Sequence, residues 1–137
     1  MHPIKQLFLL PLVFALLGSA SARAEWTRLG NTAKETDAYV LYIDSATIQR
    51  NGDMARMWDL QDFKQTQSSG DQAYRSEKSE LEFDCKERRA RVLSIIDFVG
   101  PMATGGIASS DGVASDWSPV KPGTMGEVEW STACAGK

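Results

Sequence analysis

An α+β fold follows from this sequence: an antiparallel sheet of about six strands with a short C-terminal helix disulfide-bridged to one face. Three observations carry it. Between Trp26 and Ser109 the apolar residues come in short alternating runs, broken by Gly, Asn, Asp and Pro where a chain reverses. Near the C-terminus Thr124 stands three residues ahead of Glu127, the side-chain spacing that caps a helix start. Of the two cysteines, Cys85 ends a strand-like run and Cys134 a helix-like one.

The N-terminal residues come before any of these elements. Lys5 precedes the apolar run Leu7 to Leu17, which is followed by small residues and the triplet Ala22, Arg23, Ala24. This reads as a secretory signal peptide over residues 1–24, cleaved between Ala24 and Glu25. The run contains Pro11 and falls short of the ~20 apolar residues that cross a bilayer, so no membrane span is expected. Leu16, Leu17, Gly18 and Ser19 resemble a bacterial lipidation box with serine in place of the cysteine, so no lipid anchor is expected either. Of 137 residues, 113 then remain, which is one domain's worth and enough to bury a core. The 15 basic residues lose Lys5 and Arg23, leaving 13 against 18 acidic, a net charge of −5. Such a chain has no global attraction for nucleic acid or anionic lipid.

Trp26 to Leu29 and Tyr39 to Ile43 read as strands. Asp44 and Ser45 can bond local amides, which makes Asp44 to Ile48 a tight turn. Asn51 and Gly52 suit a two-residue hairpin. Met54 to Phe63 is the return strand, with Trp58 and Leu60 on one face, Asp59 and Gln61 on the other, and Phe63 out of phase as at a bulge. Gln65 to Gln72 lacks apolar periodicity and reads as an exposed loop. In Tyr74 to Cys85, Leu81, Phe83 and Cys85 face one way and Glu80, Glu82 and Asp84 the other. Ala90 to Val99 is apolar in both phases, the pattern of a central strand covered on both sides. Gly100 to Gly126 is mostly loop, with a short strand near Gly106 to Ser109. The helix is predicted from Met125 to about Ala133, weakened by Gly126, with Trp130 and Cys134 on one face.

Two cysteines in an exported chain generally pair. A redox pair would want C-x-x-C and a zinc site more than two thiolates, so neither a cofactor nor a metal is expected. The single histidine, His2, departs with the signal peptide, which excludes Ser-His and Cys-His nucleophile activation. Glu82, Asp84, Asp97 and Asp59 could in principle supply a glycosidase-like acid pair, but nothing singles one out, and the chain is read as a non-enzyme with no catalytic residue. GPMATGGI, residues 100–107, lacks the lysine and hydroxyl of a phosphate-binding loop. The candidate binding residues are Lys86, Arg88, Arg89 and Arg91, a dense basic cluster beside the turn that follows Cys85. Acidic Glu82, Asp84 and Glu87 lie within the same stretch, so a plain solvated turn is the competing reading. Of the four tryptophans, Trp58 and Trp130 are assigned to the core, and Trp117 is the candidate for an exposed binding residue.

VLYIDSATI, NGD, MWDLQDFK, YRSEKSELEFDC, RARVLS, GPM, DWSPVKPGT and EVEWSTAC together resemble the surface-adhesin protein E-like family of Gram-negative bacteria, over Trp26 to Cys134. The resemblance implies the same sheet with a bridged helix. It also implies an exported, adhesin-like binding module of the periplasm or cell surface, able to form a homodimer. Its partner would be extracellular matrix protein, to which the basic cluster adds acidic glycan, and no ligand-binding side chain is carried over from the family. The alternative is a soluble periplasmic structural or envelope-maintenance domain with no host ligand.

Overall fold

A computed structural model describes residues 24–32 and 37–135. The expected signal peptide lies outside the described residues except for Ala24, which like Glu25 is exposed and outside any strand. Strands β1 (Trp26–Asn31), β2 (Tyr39–Asn51), β3 (Met54–Ser69), β4 (Gln72–Asp84), β5 (Arg89–Phe98) and β6 (Ile107–Asp111) pair in chain order as an antiparallel meander. The two-residue β7 (Ser118–Pro119) pairs with the start of β5, and α1 (Met125–Ala133) ends the fold.

Turn chemistry sets this order. Gly52 (φ +60°) reverses β2 into β3, and Gly70 (φ +61°) reverses β3 into β4, a backbone region in which a Cβ is strained. At the β4–β5 turn, Asp84 Oδ1 accepts from the amides of Lys86 and Glu87 at 3.1 and 3.0 Å. These bonds satisfy donors that the reversal would otherwise leave unpaired.

Cross-strand partners share a face, so the register sorts side chains onto two sides. The helix side carries Ile43, Ala55, Met57, Leu81 and Phe83, packed with Ala133 of α1 and bordered by Leu29, Val92 and Trp130. Met57 and Ala133 are fully buried, and truncating Met57 to alanine there costs about 2–5 kcal/mol. The disulfide Cys85–Cys134, with Cα atoms 5.7 Å apart, joins the end of β4 to the end of the helix. Thr124 caps α1 through the Glu127 amide at 3.3 Å, while Glu127 Oε1 accepts from the Gly123 amide.

Several sequence expectations need correction. Asp44 to Ile48 is not a turn between strands: β2 runs through it, with the register shift between Asp44 and Gln49 marking a bulge. The local bonds expected of Asp44 are made, from the Ala46 amide and Thr47 Oγ1, but they hold the bulge. Gln65 to Gln72 is exposed yet is no loop; it is the distal part of the β3–β4 hairpin, because ladder bonds need backbone and not apolar side chains. Phe63 stays in register with Tyr39 on the β2 side, but on the β4 side it falls within the irregularity between Asp62 and Gln67, in keeping with its phase. Trp58 lies on the face away from the helix and is half-buried, while its neighbour Asp59 is the one that turns under α1. Finally, β5 pairs on both edges but its residues are mostly half-exposed. Its double apolar phase comes from a bulge at Leu93, opposite the Glu80/Leu81 step, that brings both Val92 and Ile95 to the helix side.

Candidate functional site

The basic cluster divides at the turn, since successive strand residues point to opposite faces. Arg88, in the left-handed region at φ +51°, turns toward α1. There it donates to Glu127 at 2.9 Å and lies over the Trp130 ring at 4.3 Å. Lys86 stays exposed on the turn. Arg89 and Arg91 go to the far face, so the structure brings together only these two of the four basic candidates.

On that face each guanidinium meets a carboxylate directly across the ladder. Arg89 pairs with Asp84 and Arg91 with Glu82 as strand partners, and Arg56 of β3 reaches Glu82 from the other side. Arg89 Nε donates to Asp84 Oδ2 at 3.0 Å, Arg91 donates twice to Glu82 Oε1 at 2.7 and 2.9 Å, and Arg56 Nε donates to Glu82 Oε2 at 3.0 Å. Burial alone would raise the Glu82 carboxyl, but the bonds from Arg91 and Arg56 outweigh it and hold the group below its ordinary value. Asp84 is held low chiefly by the Glu87 amide, with help from Arg89.

Trp117 completes the arrangement. Its segment docks along β5 through the Ser115 amide to the Val92 carbonyl at 2.8 Å, and the Val120 amide to the Arg88 carbonyl at 2.9 Å. The indole is half-buried, with the guanidinium carbons of Arg89 and Arg91 each 4.6 Å from its centroid. A shallow depression of about 470 Å³ beside it is bordered by Glu87, Arg89, Ser118 and Pro119. Two cations on one indole, each fixed by its own carboxylate, make a stiff surface with little net charge.

Sequence reasoning missed Arg56 as a member of this site and took Glu82 and Asp84 only as neighbouring acids that offset the basic cluster. The signal was present: Glu82 and Asp84 share a phase opposite to Phe83 and Cys85. Only the cross-strand register reveals that arginines cover them. The other acids considered for catalysis lie on the helix side, with Asp59 only 2% and Asp97 only 6% exposed, so neither offers an open acid to a substrate. The amides of the 100–107 loop are also engaged, since Met102 N donates to Asp62 and Ala103 N to Ser76. Among the described residues no group of His, Cys, Asp and Glu is arranged to hold a metal ion, and no helix is long and apolar enough to cross a membrane.

Residues 26–135 match the family described as surface-adhesin protein E. The chain belongs to the surface-adhesin protein E family. Solved structures of Haemophilus influenzae protein E share its fold. One crystal form is 15% identical, covering 77% of this chain and 95% of that one with a TM-score of 0.57. Protein E from non-typeable Haemophilus influenzae is also 15% identical, covering 85% of this chain and 79% of that one with a TM-score of 0.59. No curated protein sequence matches. Membership in the surface-adhesin protein E family supports a surface-adhesin role, with no positive sign of catalysis. In this member of the family, the disulfide-bridged helix covers one face of the sheet and leaves the Arg89–Trp117–Arg91 stack on the other.

Proposed function

We propose that this chain is an exported, non-enzymatic envelope protein, mature from Glu25, whose single domain over residues 25–137 binds a partner protein outside the cell. The contact surface is centred on Trp117. The observation behind this reading is the indole held between two guanidiniums that are themselves anchored by buried carboxylates. Tryptophan and arginine dominate binding energy at protein interfaces, and side chains already fixed lose little entropy on contact. An extracellular matrix protein suits this surface better than an acidic glycan. A polyanion needs uncompensated cations, and here Glu82 and Asp84 already occupy Arg56, Arg89 and Arg91.

The experiment compares binding of the unaltered protein, Trp117→Ala and Arg91→Ala to immobilised basement-membrane extract and to heparin. Truncating a hot-spot residue costs ~2 kcal/mol or more, roughly a thirtyfold loss of affinity. That loss is expected on the matrix for both variants, at unchanged melting temperature for Trp117→Ala and with weak heparin binding throughout. Equal matrix binding by the folded Trp117 variant would overturn the assignment. Protease accessibility on intact cells tests the location: shielding of the protein would favour the periplasmic structural reading over adhesion.

A further inference from the structure

The bulge in β2 does more than bend a strand. Between Asp44 and Gln49 the β2–β3 ladder is interrupted, and two neighbouring depressions of about 260 and 350 Å³ open there, with Gln49 and Arg56 as shared walls. The first is bordered by Trp58, Thr47 and Glu80, the second by Glu82. The larger reaches the lower end of the size range of small-molecule sites, and the two adjoin at Gln49 and Arg56.

The walls of this groove are fixed before any ligand arrives. Thr47 Oγ1 donates to the Asp44 carbonyl at 2.6 Å and accepts from the Trp58 amide at 3.0 Å, which clamps the bulge to β3. The Lys78 ammonium, 4.6 Å from the Trp58 centroid and 5.9 Å from that of Trp26, holds the indole in place. Glu82 takes only the Nε of Arg56, so the two terminal nitrogens of that guanidinium make no hydrogen bond among the described residues. Glu80 likewise has no hydrogen-bond or ion-pair partner among them.

We propose that this groove is a binding site for an uncharged oligosaccharide, with Trp58 against a sugar ring and Gln49, Glu80 and Arg56 on its hydroxyls. The chemistry of the walls argues for that class. A hydroxyl both donates and accepts, so a run of them suits a wall that alternates amide, carboxylate and guanidinium, whereas a purely apolar ligand would leave those groups unpaired. An indole presents a flat apolar surface to the C–H face of a pyranose. The free Glu80 carboxylate opposes an anionic sugar, and the Arg56 charge is already shared with Glu82. This site goes beyond the Trp117 surface and does not depend on it.

The test is titration of the isotopically labelled protein with maltotriose, chitotriose, xylotriose and galactotriose, following the indole N–H signals, with a heparin-derived tetrasaccharide as the anionic control. A saturable shift of the Trp58 signal with at least one neutral trisaccharide is expected. Gln49→Ala and Glu80→Ala, both at half-exposed or exposed positions that leave the core intact, should weaken it at least tenfold. Trp117→Ala should leave it unchanged, which keeps this result separate from the fate of the protein-binding surface. No saturable shift with any of the four sugars would overturn the proposal. So would preferential binding of the anionic tetrasaccharide, or a shift indifferent to both groove substitutions.

Discussion

Gly126 is the second residue of α1, where a helix gains from a side chain and this one has none. A Cβ built there would meet Thr124 Oγ1 at 3.6 Å, an ordinary contact, and the backbone is outside the left-handed region. Gly126→Ala should therefore stabilise the protein by about 0.5–1 kcal/mol, mainly by restricting the unfolded chain. A higher urea midpoint with an unchanged slope checks this, while a lower one would mean that the added methyl disturbs the Thr124 cap. Gly105 is the opposite case. Its φ is +77° and its Cβ would come within 2.7 Å of Val99 Cγ2, so alanine there should destabilise. At this scale the sequence was informative about identity but not direction. Lys86, Arg88, Arg89 and Arg91 form one cluster in the linear chain. A turn residue at positive φ and the alternation of β5 send Arg88 to the helix and Arg89 and Arg91 to the other face.

Helix α1 has nine residues, too few to persist alone in water. Its seat is a set of ties to the sheet: the disulfide, the Trp130 Nε1 bond to the Asp84 carbonyl at 3.1 Å, the Arg50 bond to the Ala133 carbonyl at 3.2 Å and the Arg88–Glu127 pair. The disulfide closes a loop of 49 residues, worth about 4 kcal/mol in the chain-entropy account. Cys85→Ala with Cys134→Ala should lower stability by an amount of that order. Amide exchange should show α1 losing protection before β3 and β4, and equal loss across both would argue that the bridge supports the whole sheet and not the helix. The helix and the bridge were legible because capping, spacing and oxidised cysteines each leave a mark on sequence. The distal β3–β4 hairpin was not, because Gln65 to Gln72 is held by backbone ladder bonds that leave no apolar trace. The β2 bulge was hidden for a related reason: Asp44 forms the same local bonds in a bulge as in a turn. The side of Trp58 was hidden too, because alternation tells which residues share a face but not which face α1 covers.

Across the molecule the two sheet faces treat carboxylates in opposite ways, and this sets the pH dependence of folding. On the far face Glu82 and Asp84 are held low by arginines and turn amides, so their stabilisation is present above the ordinary carboxylate range and is lost as pH falls through it. Under α1 burial wins instead: Asp59 accepts hydrogen bonds from Ser79 that lower it, but they are outweighed. Burial raises Asp59 well above its ordinary value, and the charge and hydrogen bond of Glu129 raise it further. Glu129 is itself raised by burial. Glu77 is pushed up to about 7 by burial and by Asp97. The oxygen Asp59 Oδ1 finds no N–H or hydroxyl donor, which a proton shared with the Glu129 carboxyl would satisfy. Between the ordinary carboxylate range and pH 7, the folded protein thus holds more protons than the unfolded chain, and stability falls as pH rises through that window. Melting temperature should be higher at pH 5 than at pH 8, with a further decline at strongly acid pH as Glu82 and Asp84 protonate. Asp59→Asn, which keeps the shape and removes the ionisation, should flatten the fall between pH 5 and 8. An unaltered protein equally stable at both pH values, or an Asp59→Asn variant with an undiminished fall, would show that this buried carboxyl does not control it.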